Sequence, residues 1–448
     1  MLMRTFILLV AAVFLSVLAG NAFGVEHAEG SGFESPPGKV GASDADGKRT
    51  EKTQPGPGEG ASEAQESKTE ERRPHLPEIK EEVEEKKTFE IHGGLVGFYQ
   101  GAAAGRIGGR EIDPDSSSGF GVAADLQVTY RPPVPVFENG RFFMRVHAGT
   151  QKGADKNLED NLFANLNTIA DNSNELQRPF DKVFWLPEAY YAHEFAGGKL
   201  TVVAGKTEPV VFVDNNAFAN NPNSQFVGKP FVNNPVFNSE DEFAPLAAVT
   251  YTPVESISVT ALGVASSHPN APWERDQKSI YSRIFDQPLV AAQLAYSPKF
   301  GELQGNYRVY YWNAGYHHEN SAGDTSPDGW GVGVSCDQQL TEWLGLFARL
   351  AYSSRDAYDT DWFWSAGANL KGIVPSRDKD ELGIGIAGLK GVVAPHNDGT
   401  ELHAELYYRI YFNEYFALTP DVQYVANPLG DSRNDGVFAG MLRLEYSF

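Results

Sequence analysis

From Phe89 to the C-terminus the chain keeps a two-residue rhythm that no helix can satisfy. In the last segment Phe438, Gly440, Leu442, Leu444, Tyr446 and Phe448 fall on one side, and Ala439, Met441, Arg443, Glu445 and Ser447 on the other. Upstream, Leu402, Ala404, Leu406, Tyr408, Ile410 and Phe412 oppose Glu401, His403, Glu405, Tyr407, Arg409 and Tyr411. Successive side chains of a strand point to opposite faces. Each segment therefore reads as a strand with one oily face and one face bearing the charges of a wet surface.

A soluble sandwich also alternates, because its core takes the apolar face. Strand number and loop parity separate the two. Alternating segments run from 89–99 to 438–448 and number about sixteen, an even count of roughly the ~10-residue length that membrane barrels use. Short links such as Ala196-Gly197-Gly198, Pro253-Val254-Glu255, Leu340-Thr341-Glu342 and Asn413-Glu414 alternate with long ones at 152–183, 207–244, 267–288 and 314–329. Turns on one side and long loops on the other are the asymmetry of an outer-membrane barrel. The fold expected is all-β: a 16-stranded antiparallel transmembrane barrel over 88–448, its edges removed by pairing of the last strand with the first.

The mean hydropathy of -0.36 excludes a helical membrane protein but not a barrel, whose strands average out to soluble-looking values. The single cysteine, Cys336, cannot form an internal bridge. A formal charge of -22 argues against nucleic acid as a partner.

Ahead of the barrel stand two other compositions. Arg4, the apolar stretch Phe6 to Leu18 and the small residues before Ala22-Phe23-Gly24 read as a signal peptide over 1–24. Residues 25–87 are rich in Glu, Lys, Gly, Ser and Pro and too poor in apolar groups to offset ordering entropy, so an acidic, disordered periplasmic leader is expected there.

Two stretches carry a more specific likeness. Asp214-Asn215-Asn216-Ala217-Phe218-Ala219-Asn220, continued by Gln225-Phe226 and Phe231-Val232-Asn233-Asn234-Pro235, is one. Pro420-Asp421-Val422-Gln423-Tyr424-Val425 with Asn427-Pro428 is the other. Together they resemble the carbohydrate-selective porins of the OprB type, Gram-negative outer-membrane channels. The resemblance implies a monomeric or trimeric 16-stranded barrel in outer-membrane lipid, with a charged and polar eyelet that passes sugars or other small hydrophilic solutes.

The lining expected here comes from the alternation itself. Arg145, His147, Glu188, Tyr190, Arg308, Tyr310, Trp312, Arg349, Glu401, Glu405, Arg409, Asp421 and Arg443 occupy the wet face. Arginine and carboxylate together bind vicinal hydroxyls, although the same groups also pair with each other across strands. The long loop 207–244 is expected to fold inward as the constriction. Its Asp214, Asn215, Asn216, Asn220, Asn221, Asn223 and Gln225 offer amide donors and acceptors with little fixed charge.

Other function classes find less support. Candidate bases such as His147 and His403 lack a framed nucleophile, so a barrel hydrolase is not indicated. His317-His318 with Glu319 is a poor chelate, and 324–329 reads as a turn, so neither metal nor cofactor is expected. A general or ion-conducting porin and an envelope tether remain as alternatives.

Overall fold

The computed structural model describes residues 88–113, 117–150, 153–169, 184–237, 243–265, 288–315, 318–320, 325–326, 328–392 and 399–448. The expected signal peptide and leader lie outside them, as do His317 and Asp324.

Sixteen strands form the wall. They are β1 (Phe89–Ala104), β2 (Ser118–Tyr130), β3 (Gly140–Thr150), β4 (Phe184–Phe195), β5 (Leu200–Thr207), β6 (Ala244–Val254), β7 (Ile257–Val264) and β8 (Leu289–Tyr296). The second half comprises β9 (Leu303–Ala314), β10 (Gly329–Thr341), β11 (Leu344–Ser353), β12 (Thr360–Lys371), β13 (Glu381–Gly391), β14 (Thr400–Tyr411), β15 (Phe416–Ala426) and β16 (Val437–Ser447). Each pairs antiparallel with its neighbours in sequence. β1 pairs with β2 on one side and with β16 on the other, from Gly94 opposite Ser447 to Ala104 opposite Val437. Gly93 and Phe448 then exchange backbone hydrogen bonds of 3.1 and 3.0 Å, so the terminal residue closes the seam. The sheet has no edge left to pair with another chain.

The outer face is apolar along the strands. Leu126, Val249, Leu294, Val334, Leu350, Ile384, Leu406 and Leu442 are exposed there, which in water would be a large penalty and in lipid is none. Aromatic rings gather toward both ends of the wall. At the short-turn end Phe89 stacks on Tyr130 at 4.5 Å, Phe142 meets Tyr191 at 4.8 Å and Phe416 meets Tyr446 at 4.8 Å. At the long-loop end Tyr99 meets Phe120 at 4.7 Å, and Tyr352 sits between Trp330 and Trp362 at 5.7 and 5.1 Å. Two girdles bounding an apolar band match the two interfaces of a bilayer.

Inside the barrel two loops cover much of the inner face. The link 208–243 runs from β5 to β6, and its Phe226 and Phe231 meet β11 Phe347 and β14 Tyr407 in a buried ring cluster. Residues 153–169 of the β3–β4 link also turn inward. Their Leu158, Leu162 and Leu166 pack with Ile107, Val425 and Val437 near the long-loop end. Burial of each such side chain is worth about 1.5–3 kcal/mol, enough for these loops to act as part of the fold.

Candidate solute channel

The inward fold of 208–237 begins at Asp214, which adopts a left-handed φ of 66°. Aspartate tolerates this conformation better than most residues, and the surroundings enforce it. The Asp214 N–H donates to Gln293 Oε1 at 3.0 Å. Its carboxylate accepts from Arg349 Nε at 3.0 Å, Tyr310 Oη at 3.1 Å and the Asn234 N–H at 2.6 Å. Burial pushes this carboxyl up, and the Arg349 guanidinium, the Asn234 N–H and the Tyr310 hydroxyl pull against that rise.

Arg349 does more than neutralise Asp214. Its remaining donors reach the carbonyls of Phe231 at 3.0 Å, Ala219 at 2.7 Å and Asp214 at 3.2 Å. One guanidinium thus ties three separated parts of the loop to β11, which a lysine with its point charge could not do. Further along, Asn216 Nδ2 donates to the Cys336 carbonyl at 3.2 Å, and Phe218 lies over Gly345, where a Cβ would meet its ring.

The far end of the loop is held from β14 and β16. Glu405 accepts the N–H groups of Val227 and Gly228 at 2.6 and 2.9 Å. Arg443 donates to the carbonyls of Pro222 and, at 2.9 Å, Gln225. Asp421 accepts from Gln423 Nε2 at 3.2 Å. Charged partners make these bonds worth about 1.5–3 kcal/mol each.

The second loop is fastened in the same manner. Glu401 accepts the Phe163 N–H at 2.9 Å and the Leu429 N–H at 2.7 Å, and His403 Nε2 lies 2.7 Å from it. Gln423 Nε2 and Gln100 Nε2 reach the Leu166 carbonyl at 3.0 and 3.4 Å. The two loops bond to each other: the Thr168 N–H donates to the Val227 carbonyl at 3.1 Å and the Lys229 N–H to the Asn165 carbonyl at 2.9 Å. They behave as one body.

Several expectations about the lining are thereby corrected. Arg349, Glu401, Glu405, Asp421, Arg443 and His403 do point inward, but the loops bury them, and Glu401 and Arg443 are wholly covered. Trp312 is likewise covered, its ring 5.2 Å from Phe237, with Tyr310 buried beside it. Arg308 pairs with Asp337 at 2.7 Å and is nearly buried. The physical reason is common to all. A polar group on the wet face meets water only where no loop lies over it, and alternation does not show where loops lie. The amides also differ from expectation. Asp214, Asn215 and Asn216 are buried in loop fastenings, whereas Asn220, Asn221, Asn223 and Gln225 keep partial exposure. Of these, Gln225 is largely engaged internally, accepting the N–H groups of Asn220 and Asn221 at 2.9 and 3.0 Å.

The polar wall that stays partly open lies on β2, β3 and β4. Arg145 Nε donates to Asp125 at 2.6 Å and its Nη1 to Glu188 at 3.1 Å, while Arg141 Nη1 reaches Glu194 at 3.2 Å. Side-chain exposures of 22% for Arg145, 17% for Arg141 and 22% for Glu194 contrast with 0% for both Arg349 and Asp214. His147 and Glu188 of this wall are buried, His147 Nδ1 sitting 3.0 Å from Asp125, while Tyr190 keeps partial exposure beside Glu188 and Arg141. At the short-turn end Arg409 donates to Glu445 at 2.5 Å and stacks on the Tyr411 ring at 4.5 Å. Arg141, Glu194 and Asp125 were absent from the expected lining, although Arg141 shares the face of Arg145 four residues away and was legible by parity. No cluster of residues suited to a metal ion occurs among the described residues.

Against known proteins, residues 119–448 match the model of the carbohydrate-selective porin family, OprB. Porin B of Pseudomonas aeruginosa is 25% identical over 206 residues, a match spanning 36% of this chain and 45% of that protein. An uncharacterized protein of Aquifex aeolicus is 25% identical over 313 residues, covering 68% of this chain and 84% of its own length. Among solved structures, Pseudomonas putida OprB at high pH superposes with a TM-score of 0.65 at 16% identity, over 81% of this chain and 94% of that one. That likeness shows the fold.

Proposed function

Since the chain belongs to the OprB family of carbohydrate-selective porins and sits in the Gram-negative outer membrane, we propose that it passes small neutral carbohydrates passively between the loop body and the open β2–β4 wall. The family and the fold support a channel rather than an enzyme.

One observation carries the substrate class. On the open wall two arginines, Arg141 and Arg145, face the carboxylates Asp125 and Glu194 within hydrogen-bonding reach, and buried Glu188 backs Arg145. A strip with no excess positive charge does not attract sugar phosphates or other anions. It still presents guanidinium donors beside carboxylate acceptors, the combination that meets vicinal hydroxyls. Repeated weak sites suit passage, because a solute must leave as readily as it binds. Asn221 and Asn223, partly exposed on the loop, would serve as a further polar surface.

Purified protein in liposomes tests this. Swelling in neutral mono- and disaccharides, with a reversal potential showing no anion preference in a salt gradient, is the expected result. Strong anion selectivity, or salt conductance without sugar uptake, would overturn the carbohydrate reading.

A further inference from the structure

Among the rings on the strands inside the barrel, Tyr190 is placed unlike those under the loops. Tyr310, Trp312, Phe226, Phe231, Phe347 and Tyr407 are buried beneath or within the loop body. Tyr190 instead keeps partial exposure on β4, with its ring stacked on that of Phe143 at 4.9 Å and 27° between planes. Phe143 is itself buried, so it serves as backing and leaves Tyr190 as the accessible ring. Across the sheet Tyr190 pairs with Gly205, whose φ is 153°. A Cβ at Gly205 would come within 2.6 Å of Tyr190 Cβ and 2.4 Å of its Cα, so glycine is what allows the tyrosine to seat there.

The charged groups around this ring fit the same purpose. Glu188 and Arg141 are its electrostatic neighbours. Each is paired in turn, buried Glu188 with Arg145 and Thr207 and the partly exposed Arg141 with Glu194, so guanidinium donors and a carboxylate acceptor border an apolar plate without net positive charge. A pyranose has the complementary form. Its axial C–H groups make one apolar face that rests on the negative face of an aromatic ring, and its hydroxyls radiate in the ring plane toward such groups. An acyclic alditol has the same hydroxyls but no rigid apolar face.

We propose that Tyr190, backed by Phe143 and bordered by the Arg141–Glu194 and Arg145–Glu188 pairs, is a stacking subsite for neutral pyranoses in transit. This rests on the carbohydrate reading and adds to it a discrimination by ring rather than by size or charge. Tyr190 packs at the edge of the loop core but takes no part in the fastening bonds of Arg349, Glu405 or Arg443, so its ring can be changed without removing them.

The test compares an aldohexose with the alditol of equal carbon number in liposome swelling, for the wild type, Tyr190→Phe and Tyr190→Leu. Leucine retains apolar bulk over Phe143 and lacks a π face. Folding is checked by heat-dependent migration on gels. The wild type and Tyr190→Phe are expected to favour the hexose, and Tyr190→Leu to lose about 2- to 10-fold of that preference, the range a ring contact of this kind supplies. An unchanged preference in folded Tyr190→Leu overturns the subsite while the porin reading stands. A wild type that admits hexose and alditol equally also overturns it. Failure of the wild type to pass either solute, with salt still conducted, removes the carbohydrate reading and the subsite together.

Discussion

At the residue scale the channel is defined by a few ions spent on holding loops. Arg349 is the clearest case, because its loss leaves Asp214 charged in a buried site and three carbonyls without donors. Removing one partner of a buried pair costs about 3–5 kcal/mol. Arg349→Ala should therefore release the loop, seen as a larger single-channel conductance in a barrel that still migrates as folded on gels. Unaltered conductance would show that the loop is held by its rings alone. Asp380 offers a different residue-scale test in the 372–380 turn, outside the wall. Burial pushes its carboxyl up, but the Arg377 guanidinium, the Tyr411 N–H and the Tyr408 hydroxyl together hold it below the usual carboxylate range. A lowered folded value adds stability that is present above the unfolded value of about 4 and lost as pH falls through the folded one. Asp380→Asn should lower the unfolding temperature at pH 7 and have a much smaller effect near pH 2. An equal loss at both would mean that the hydrogen bonds, not the charge, matter there.

At the scale of the element, strands and loops obey different rules. Leu406 on β14 lies on the lipid side between Glu405 and Tyr407, which face inward. Leu406→Arg should reduce folding stability in lipid by roughly 2–4 kcal/mol if it sits near the midplane, measured by denaturant titration in vesicles. A neutral effect would reverse the inside and outside of that strand. The alternation was legible because period two is a local property, so strand positions such as 401–412 follow from the residues alone. Loop placement was legible only in part. The length and amide content of 207–244 pointed inward, while 153–169 carried no such signal, because its hold on the wall depends on Glu401 and Gln423, far away in sequence. Deleting 220–224, a partly exposed turn of the loop, should widen the passage and admit larger oligosaccharides in swelling assays. If the size limit stays the same, the narrowest point lies elsewhere.

At the scale of the whole molecule, the barrel and the acidic segment before it are proposed to be separable. Expression without 25–87, residues 1–24 retained, should give a pore of unchanged conductance. A lost or altered pore would make that segment part of the channel. The amino-acid sequence by itself determined the closed wall, its oily exterior and its membrane setting, since each follows from period-two alternation, turn parity and a terminal aromatic. Only the tertiary structure decided which inward residues meet water. Arg145 and Arg349 look alike on their strands, yet one is partly open beside Asp125 and the other is sealed against Asp214. The difference arises because exposure inside a barrel depends on where distant loops come to rest, and that is set by long-range hydrogen bonds and ring packing that no local pattern encodes.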